Sequence, residues 1–216
     1  MKHNLEIEII SDAICPWCYL GKKRLEKAMH SLSEDFQFSI EWKPYQLNPD
    51  MPIEGMKGNE LLEKKYGKEK SEEMLKNMTE LGKLEGIQFN FQNIPYTPNT
   101  IMYHRMIKYA SLFNKQNEMV NFLFGAYFEK GEDLTDLNLF LKYAELSGLD
   151  REETEKFLKS SEFLEDILSA EEAYRKVGIR GVPSYIINQK YLLVGAQTPD
   201  YFQSAFLEIA KSQERV

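Results

Sequence analysis

The sequence predicts an α/β domain built on a mixed four-stranded sheet and interrupted by a large all-helical insertion. Three observations carry this. Strand-like apolar runs occur only near the two ends of the 216 residues. Between them, from Asn59 to Val177, the pattern is helical and rich in Leu, Lys, Glu and Met. A Cys-Pro-Trp-Cys run, Cys15 to Cys18, marks the junction of the first strand and the first helix.

The first strand is read at Leu5–Ile10, where apolar residues and glutamates interleave. The amphipathic stretch from Pro16 to Leu32 is a helix, with proline at its first position, where no N–H is needed. Phe36–Lys43 is a second strand, because Phe36, Phe38, Ile40 and Trp42 share one face. Prolines at 44, 49 and 52 make the next stretch a loop. Inside the helical block, breaks are expected at Gly82 to Pro98, near Asn114, at Gly131 to Thr135 and at Gly148 to Asp150. Thr135, Asp150 and Ser161 have the residue types of helix N-caps. Ser184–Asn188 and Tyr191–Val194 read as a hairpin turning at Asn188–Lys190. Thr198-Pro199 then opens a last helix, Thr198 as N-cap and Pro199 at the first helical position.

Two strands joined by a helix make a right-handed parallel crossover, and the hairpin adds antiparallel strands to the same sheet. The middle segment is too long for a loop. The expected division is therefore 1–55 with 179–216 as the α/β domain, and 56–178 as the inserted helical domain.

Hydrophobic content of 43% and charged content of 28% are those of an ordinary globular protein. The net charge of −7 argues against a nucleic-acid partner, which needs a basic face. No stretch approaches the ~18 apolar residues of a membrane span. Glu6 and Glu8 interrupt the only early apolar run, which argues against a secretory signal and for a cytoplasmic protein.

The chain has only two cysteines, too few to staple a domain of this size. At this spacing in a reducing compartment they read as catalytic or metal-binding. Proline at the first helical position puts Cys15 at the N-cap and Cys18 one turn inside. Unpaired N–H groups of the first turn, and the helix dipole, would then favour a thiolate on Cys15. Residues three apart on a helix approach within ~5–6 Å, which suits a disulfide. Cys15 is the expected nucleophile and Cys18 the resolving thiol. Two plainer readings stand beside this one: both cysteines as small buried hydrophobes, or half of a zinc site. The zinc site lacks its other ligands, since His3, His30 and His104 form no tight pair.

Taken together, Ser11-Asp12 with Cys15-Pro16-Trp17-Cys18, Tyr45 to Pro49, Asn99-Thr100 with His104-Arg105, Leu123 to Phe128, Gly181-Val182-Pro183 and Gly195-Ala196-Gln197 resemble one family. They are similar to the DsbA-like thioredoxin superfamily, and more narrowly to its FrnE-like dithiol–disulfide oxidoreductases. The resemblance covers nearly the whole chain. It implies a thioredoxin fold around the helical insertion and a substrate that is a protein disulfide or a small-molecule thiol or disulfide. The Cys15–Cys18 disulfide would be the only redox group, with glutathione as a potential co-substrate. It also implies that Pro183 is cis and packs beside Cys15, although the base rate for X–Pro bonds favours trans. The Val182 backbone would pair with a substrate strand, and Pro16 and Trp17 would contribute to substrate binding. Periplasmic DsbA proteins usually carry histidine where Trp17 stands. Without that imidazolium the thiolate is less stabilised, and a potential between the ~−120 mV of DsbA and the ~−270 mV of thioredoxin is expected.

Two other functions remain open. The same superfamily holds glutathione-dependent enzymes of the 2-hydroxychromene-2-carboxylate isomerase and kappa-class transferase types, which typically place serine at the position of Cys15. A non-catalytic peptide-binding module would use the Val182–Pro183 edge. Among single residues, Asp12 is read first as a cap before the helix and second as a proton-transfer group. Trp17 either covers the disulfide or is a surface aromatic. His104 reads as a satisfied histidine at the domain boundary. Phe122 to Phe128 read as helix core before substrate groove.

Overall fold

The computed structural model describes residues 2–58 and 60–213. Asn59, where the helical block was expected to begin, lies outside them. The elements are β1 (His3–Ser11), α1 (Pro16–Ser31), β2 (Phe36–Pro44), β3 (Met56–Lys57), α2 (Glu60–Tyr66), α3 (Lys68–Leu84), β4 (Tyr96–Thr97), α4 (Ile101–Ser111), α5 (Gln116–Phe124), α6 (Leu137–Leu146), α7 (Arg151–Lys159), α8 (Leu164–Lys176), β5 (Ser184–Ile187), β6 (Tyr191–Val194) and α9 (Pro199–Gln213).

The main sheet has four strands in the order β2-β1-β5-β6. β1 runs parallel to β2, with Ile7 opposite Ile40 and Ile9 opposite Trp42. It runs antiparallel to β5, with Ile7 opposite Ile187 and Ile9 opposite Tyr185. β6 completes the hairpin. This is the expected mixed sheet, and the position of β1 explains its sequence. A central strand is covered on both faces, so Leu5, Ile7 and Ile9 enter the main core while Ile10 packs on the other side with Tyr45 and Ile179. Along β2 the alternation holds: Gln37, Ser39 and Glu41 face out. Phe38 meets Phe206 of α9 with ring centroids 5.3 Å apart. Tyr185 meets Phe202 of α9 edge-on at 5.0 Å. Those aromatic contacts fix α9 on the sheet.

Three expectations needed correction. Thr135 is not an N-cap: its N–H and hydroxyl both donate to Asp133, and Asp136 caps α6 by accepting from Asn138 N–H. Ser161 does not cap α8, which starts after Phe163 in a left-handed conformation (φ 62°). The ring of Phe163 packs on Phe157 with centroids 6.0 Å apart and anchors that entry. A two-stranded ladder of β3 and β4 also lies within 56–178, the insertion expected to be all-helical, with β4 in its expected break at 82–98. Asp150, by contrast, caps α7 through Glu153 N–H, and Thr198 accepts from Tyr201 N–H at 3.3 Å at the start of α9. Among the described residues, no helix is long and apolar enough to cross a membrane.

Candidate active site

Cys15 occupies the N-cap of α1 in an extended conformation, with Pro16 following. Both cysteines are free thiols and both are buried. The sulfur of Cys15 does not take the first-turn N–H groups as expected, since Cys15 makes no side-chain capping bond. Cys18 N–H pairs with the carbonyl of Cys15 at 2.9 Å instead. The protonated sulfur is itself a donor, and it donates to the carbonyl of Val182 at 3.6 Å. The Val182–Pro183 peptide is cis. The N-terminus of α1 and the entrance of β5 therefore meet at one sulfur.

Cys18 lies deeper, at 1% exposure against 4% for Cys15. Burial pushes its thiol well above the usual range, and the neighbouring Cys15 sulfur adds to this. Ser11 and the Asp12 backbone pull weakly the other way. Tyr185, on β5 below the cis bond, is also held up by burial and then by the two cysteines. Gly21 on α1 makes this packing achievable: a Cβ there would strike the Tyr185 hydroxyl and approach Pro183 Cγ to 3.1 Å.

An open cavity of about 330 Å³ starts at Cys15, and its wall is mostly apolar. Ile14, Pro16 and Trp17 form one side, and Phe91, Tyr127 and Phe128 form another. Trp17 is 45% exposed at its rim. The aromatic run at 122–128 thus has two duties. Phe124 is core, whereas Tyr127 and Phe128 are buried and also face the cavity. The chain turns there through a π-helical segment, Gly125–Glu129, a form of turn that recurs at functional sites.

Asp12 is fully buried and does not cap α1. One carboxylate oxygen accepts from Leu47 N–H at 2.8 Å, holding the loop after β2 against the active-site turn. The other lies 3.4 Å from Nε2 of His104, without hydrogen-bond geometry. His104 is therefore not the satisfied histidine expected; it faces an acid one residue beyond β1. Glu171 of α8 completes the group. Its carboxylate accepts from Gln46 N–H at 2.9 Å. Burial pushes the Glu171 carboxyl up, opposed by His104 and the Gln46 N–H. Arg175 braces the same loop by donating to the Tyr45 hydroxyl and the Gln46 carbonyl, at 3.0 and 2.7 Å.

Glu171 and Arg175 were not singled out in the sequence. The available signal was their i, i+4 spacing on one face of α8, a buried acid beside a base. Among the described residues, no three histidine, cysteine or acidic side chains group as metal ligands.

The family model of the DSBA-like thioredoxin domain matches residues 6–207. The chain is similar to the uncharacterised protein YwbO of Bacillus subtilis strain 168, with 25% identity over 211 residues, 97% of this chain and all of that one. A probable DsbA oxidoreductase from Streptomyces coelicolor superposes with a TM-score of 0.88 at 24% identity, covering 96% of this chain and 90% of the other. A 2-hydroxychromene-2-carboxylate isomerase superposes at 0.71 with 19% identity, covering 97% and 98%. The cytosolic disulfide reductase DsbM from Pseudomonas aeruginosa, with GSH, superposes at 0.67 with 15% identity, covering 98% and 100%. At these identities the structural likenesses concern the fold.

Proposed function

Since the chain belongs to the DSBA-like thioredoxin domain family, we propose that it is a dithiol–disulfide oxidoreductase in which Cys15 attacks and Cys18 resolves. One observation carries this reading. Cys15 lines the cavity with its sulfur against Val182, while Cys18 sits one helical turn further along α1. The substrate is a protein or small-molecule disulfide with an apolar body, because Pro16, Trp17 and the aromatic wall offer apolar surface beside the sulfur. The Val182–Pro183 edge would align the substrate backbone.

Cys15 thiolate attacks the substrate disulfide, forming a Cys15–substrate mixed disulfide and releasing one substrate thiolate. Cys18 thiolate then attacks the Cys15 sulfur. The intramolecular disulfide forms and the second substrate thiolate leaves, so the substrate gains two electrons. A low-molecular-weight thiol such as glutathione recycles the enzyme. In a reducing cytoplasm this direction, reduction or isomerisation, is the favoured one.

The test is equilibration in glutathione buffers of graded poise, followed by thiol trapping and mass measurement. A reversible Cys15–Cys18 disulfide with a midpoint between ~−270 and ~−120 mV supports the reading. A pair that never closes overturns it. The fold shared with an isomerase favours a second reading, a glutathione-dependent isomerase that binds an aromatic substrate in the same cavity. Turnover of such a substrate that survives Cys18→Ser would select it.

A further inference from the structure

The cis-proline end of β5 is braced by a side chain of α1. Just after β6 the chain turns tightly at 194–197, with Gly195 at φ 84° and Gln197 N–H donating to the Gly195 carbonyl at 2.9 Å. Gly195 N–H donates to the carbonyl of Pro183 at 2.8 Å, so the turn sits on the residue whose bond to Val182 is cis. The next carbonyl, that of Ala196, accepts from Nη1 of Arg24 at 2.8 Å. Nε of the same guanidinium donates to Glu85 Oε1 at 2.8 Å. Lys27, one turn further along α1, donates to the other Glu85 oxygen at 2.6 Å. Arg24 is 14% exposed and Glu85 10%, so this is not a solvated surface pair. Burial alone would raise the Glu85 carboxyl, but Lys27 and Arg24 hold it below its usual range, and it is ionised at neutral pH.

Glu85 directly follows α3. Met74 and Leu75 of α3 line the front cavity, the one that starts at Cys15. Arg24 thus ties the helix of one cavity wall to the cis-proline turn, with two bonds from one rigid plane. The packing beside it leaves no slack. A Cβ on Gly21 would come within 3.3 Å of Ala196 Cβ and 3.1 Å of Pro183 Cγ. Arg24 itself does not line the front cavity, so it acts through the turn and not on the reacting sulfurs.

We propose that Arg24 is a positioning residue for substrate alignment: held by Glu85, it fixes the 194–197 turn, and through Gly195 the Pro183 carbonyl, so that the Val182–Pro183 edge is set to receive the backbone of a peptide disulfide. The proposal rests on the dithiol reading above. It goes beyond that reading by placing control of peptide alignment outside the active-site turn, at an ion pair between α1 and the end of α3. Strand-like alignment draws its affinity from main-chain hydrogen bonds, and these weaken steeply when the edge tilts or shifts. A disulfide without a backbone has no such bonds to lose. The exchange chemistry at Cys15 and Cys18 is the same for both.

The test is single-turnover reaction of the reduced protein with two disulfides, quenched in acid and read by mass. One is a short unstructured peptide with an internal disulfide, and the other is a symmetric nitroaryl disulfide. Arg24→Lys keeps a cation beside Glu85 but lacks the fork that also reaches Ala196. It should raise the half-saturating peptide concentration about tenfold, the scale of one hydrogen bond to a charged group, and leave the limiting rate unchanged. Glu85→Gln leaves Arg24 bonded to Ala196 without its ionic anchor and should raise the same concentration by a smaller factor. The nitroaryl disulfide should show neither rise. Urea unfolding of both variants measures what the pair adds to folding, which is all that a purely structural role would move. A peptide half-saturation unchanged in Arg24→Lys, or an equal effect on both disulfides, overturns the proposal. So does a wild type that reduces the nitroaryl disulfide and leaves the peptide untouched. A wild type that reduces neither sinks the dithiol reading itself, and this proposal with it.

Discussion

The thiol of Cys15 donates to the carbonyl of Val182 across 167 positions of sequence. That contact makes the position of the sulfur a joint property of α1 and β5. Under the proposed dithiol reading, an incoming disulfide would meet the sulfur beside Val182, so backbone alignment of the substrate and attack by Cys15 would occur at one place. Cys18, behind it, touches neither the front cavity nor solvent.

The two cysteines should therefore separate cleanly. Cys18→Ser should accumulate a stable mixed disulfide with glutathione at Cys15, because attack proceeds and release does not. Cys15→Ser should take up none, since Cys18 is enclosed. Intact-mass measurement after exposure to oxidised glutathione checks both. Equal labelling of the two variants would reverse the assignment of roles.

Trp17 lines the cavity beside Cys15 with its ring about half exposed. Trp17→Ala should leave stability within ~0.5 kcal/mol, as for surface changes away from packed features. It should raise KM for disulfides with apolar bodies several-fold and leave small hydrophilic ones unaffected. Kinetics on a matched pair of substrates tests this. An equal effect on both would make Trp17 a surface aromatic with no part in selection.

Much of the fold was legible because its signals are local. β1 and β2 declare themselves by apolar periodicity, and Asp150 and Thr198 by standing just before helical runs. Thr135 failed as a cap because Asp133, two residues earlier, competes for its hydroxyl and N–H. β3 and β4 are two residues each, too short to show any period. In the candidate site, Cys15 and Cys18 are singled out by their spacing. The Glu171 contact to Gln46 joins positions 125 apart, and the 3.4 Å approach of His104 to Asp12 brings α4 to the turn after β1. Neither leaves a local trace, because tertiary packing alone brings those groups together.

Gly21 tests how tightly α1 is seated on the cis-proline end of β5. Gly21→Ala would gain helix propensity, but its methyl group meets the Tyr185 hydroxyl and Pro183. Overpacking costs about 1–3 kcal/mol, more than the ~1 kcal/mol of propensity returned. Denaturant unfolding should show a net loss of stability in the reduced protein, and the double variant with Tyr185→Phe should recover part of it. A net gain in the single variant would mean that the helix shifts freely at this point.

Glu171 links stability to pH in a direction that can be worked out. Its carboxyl is raised above the ordinary 4.5 by burial, so the native state holds the proton more tightly than the unfolded chain does. The stability it contributes is fully present below that unfolded value and is lost as pH rises through the folded one. Glu171→Gln keeps an oxygen to accept from Gln46 N–H and cannot ionise. The stability of E171Q relative to wild type should therefore increase from about pH 4 to about pH 7. Urea unfolding of both proteins at the two pH values measures the change. A difference that shrinks toward neutral pH would show that His104 and Arg175 hold the ionised carboxylate more strongly than burial opposes it, and that the Asp12–His104–Glu171 cluster is an ion-paired one.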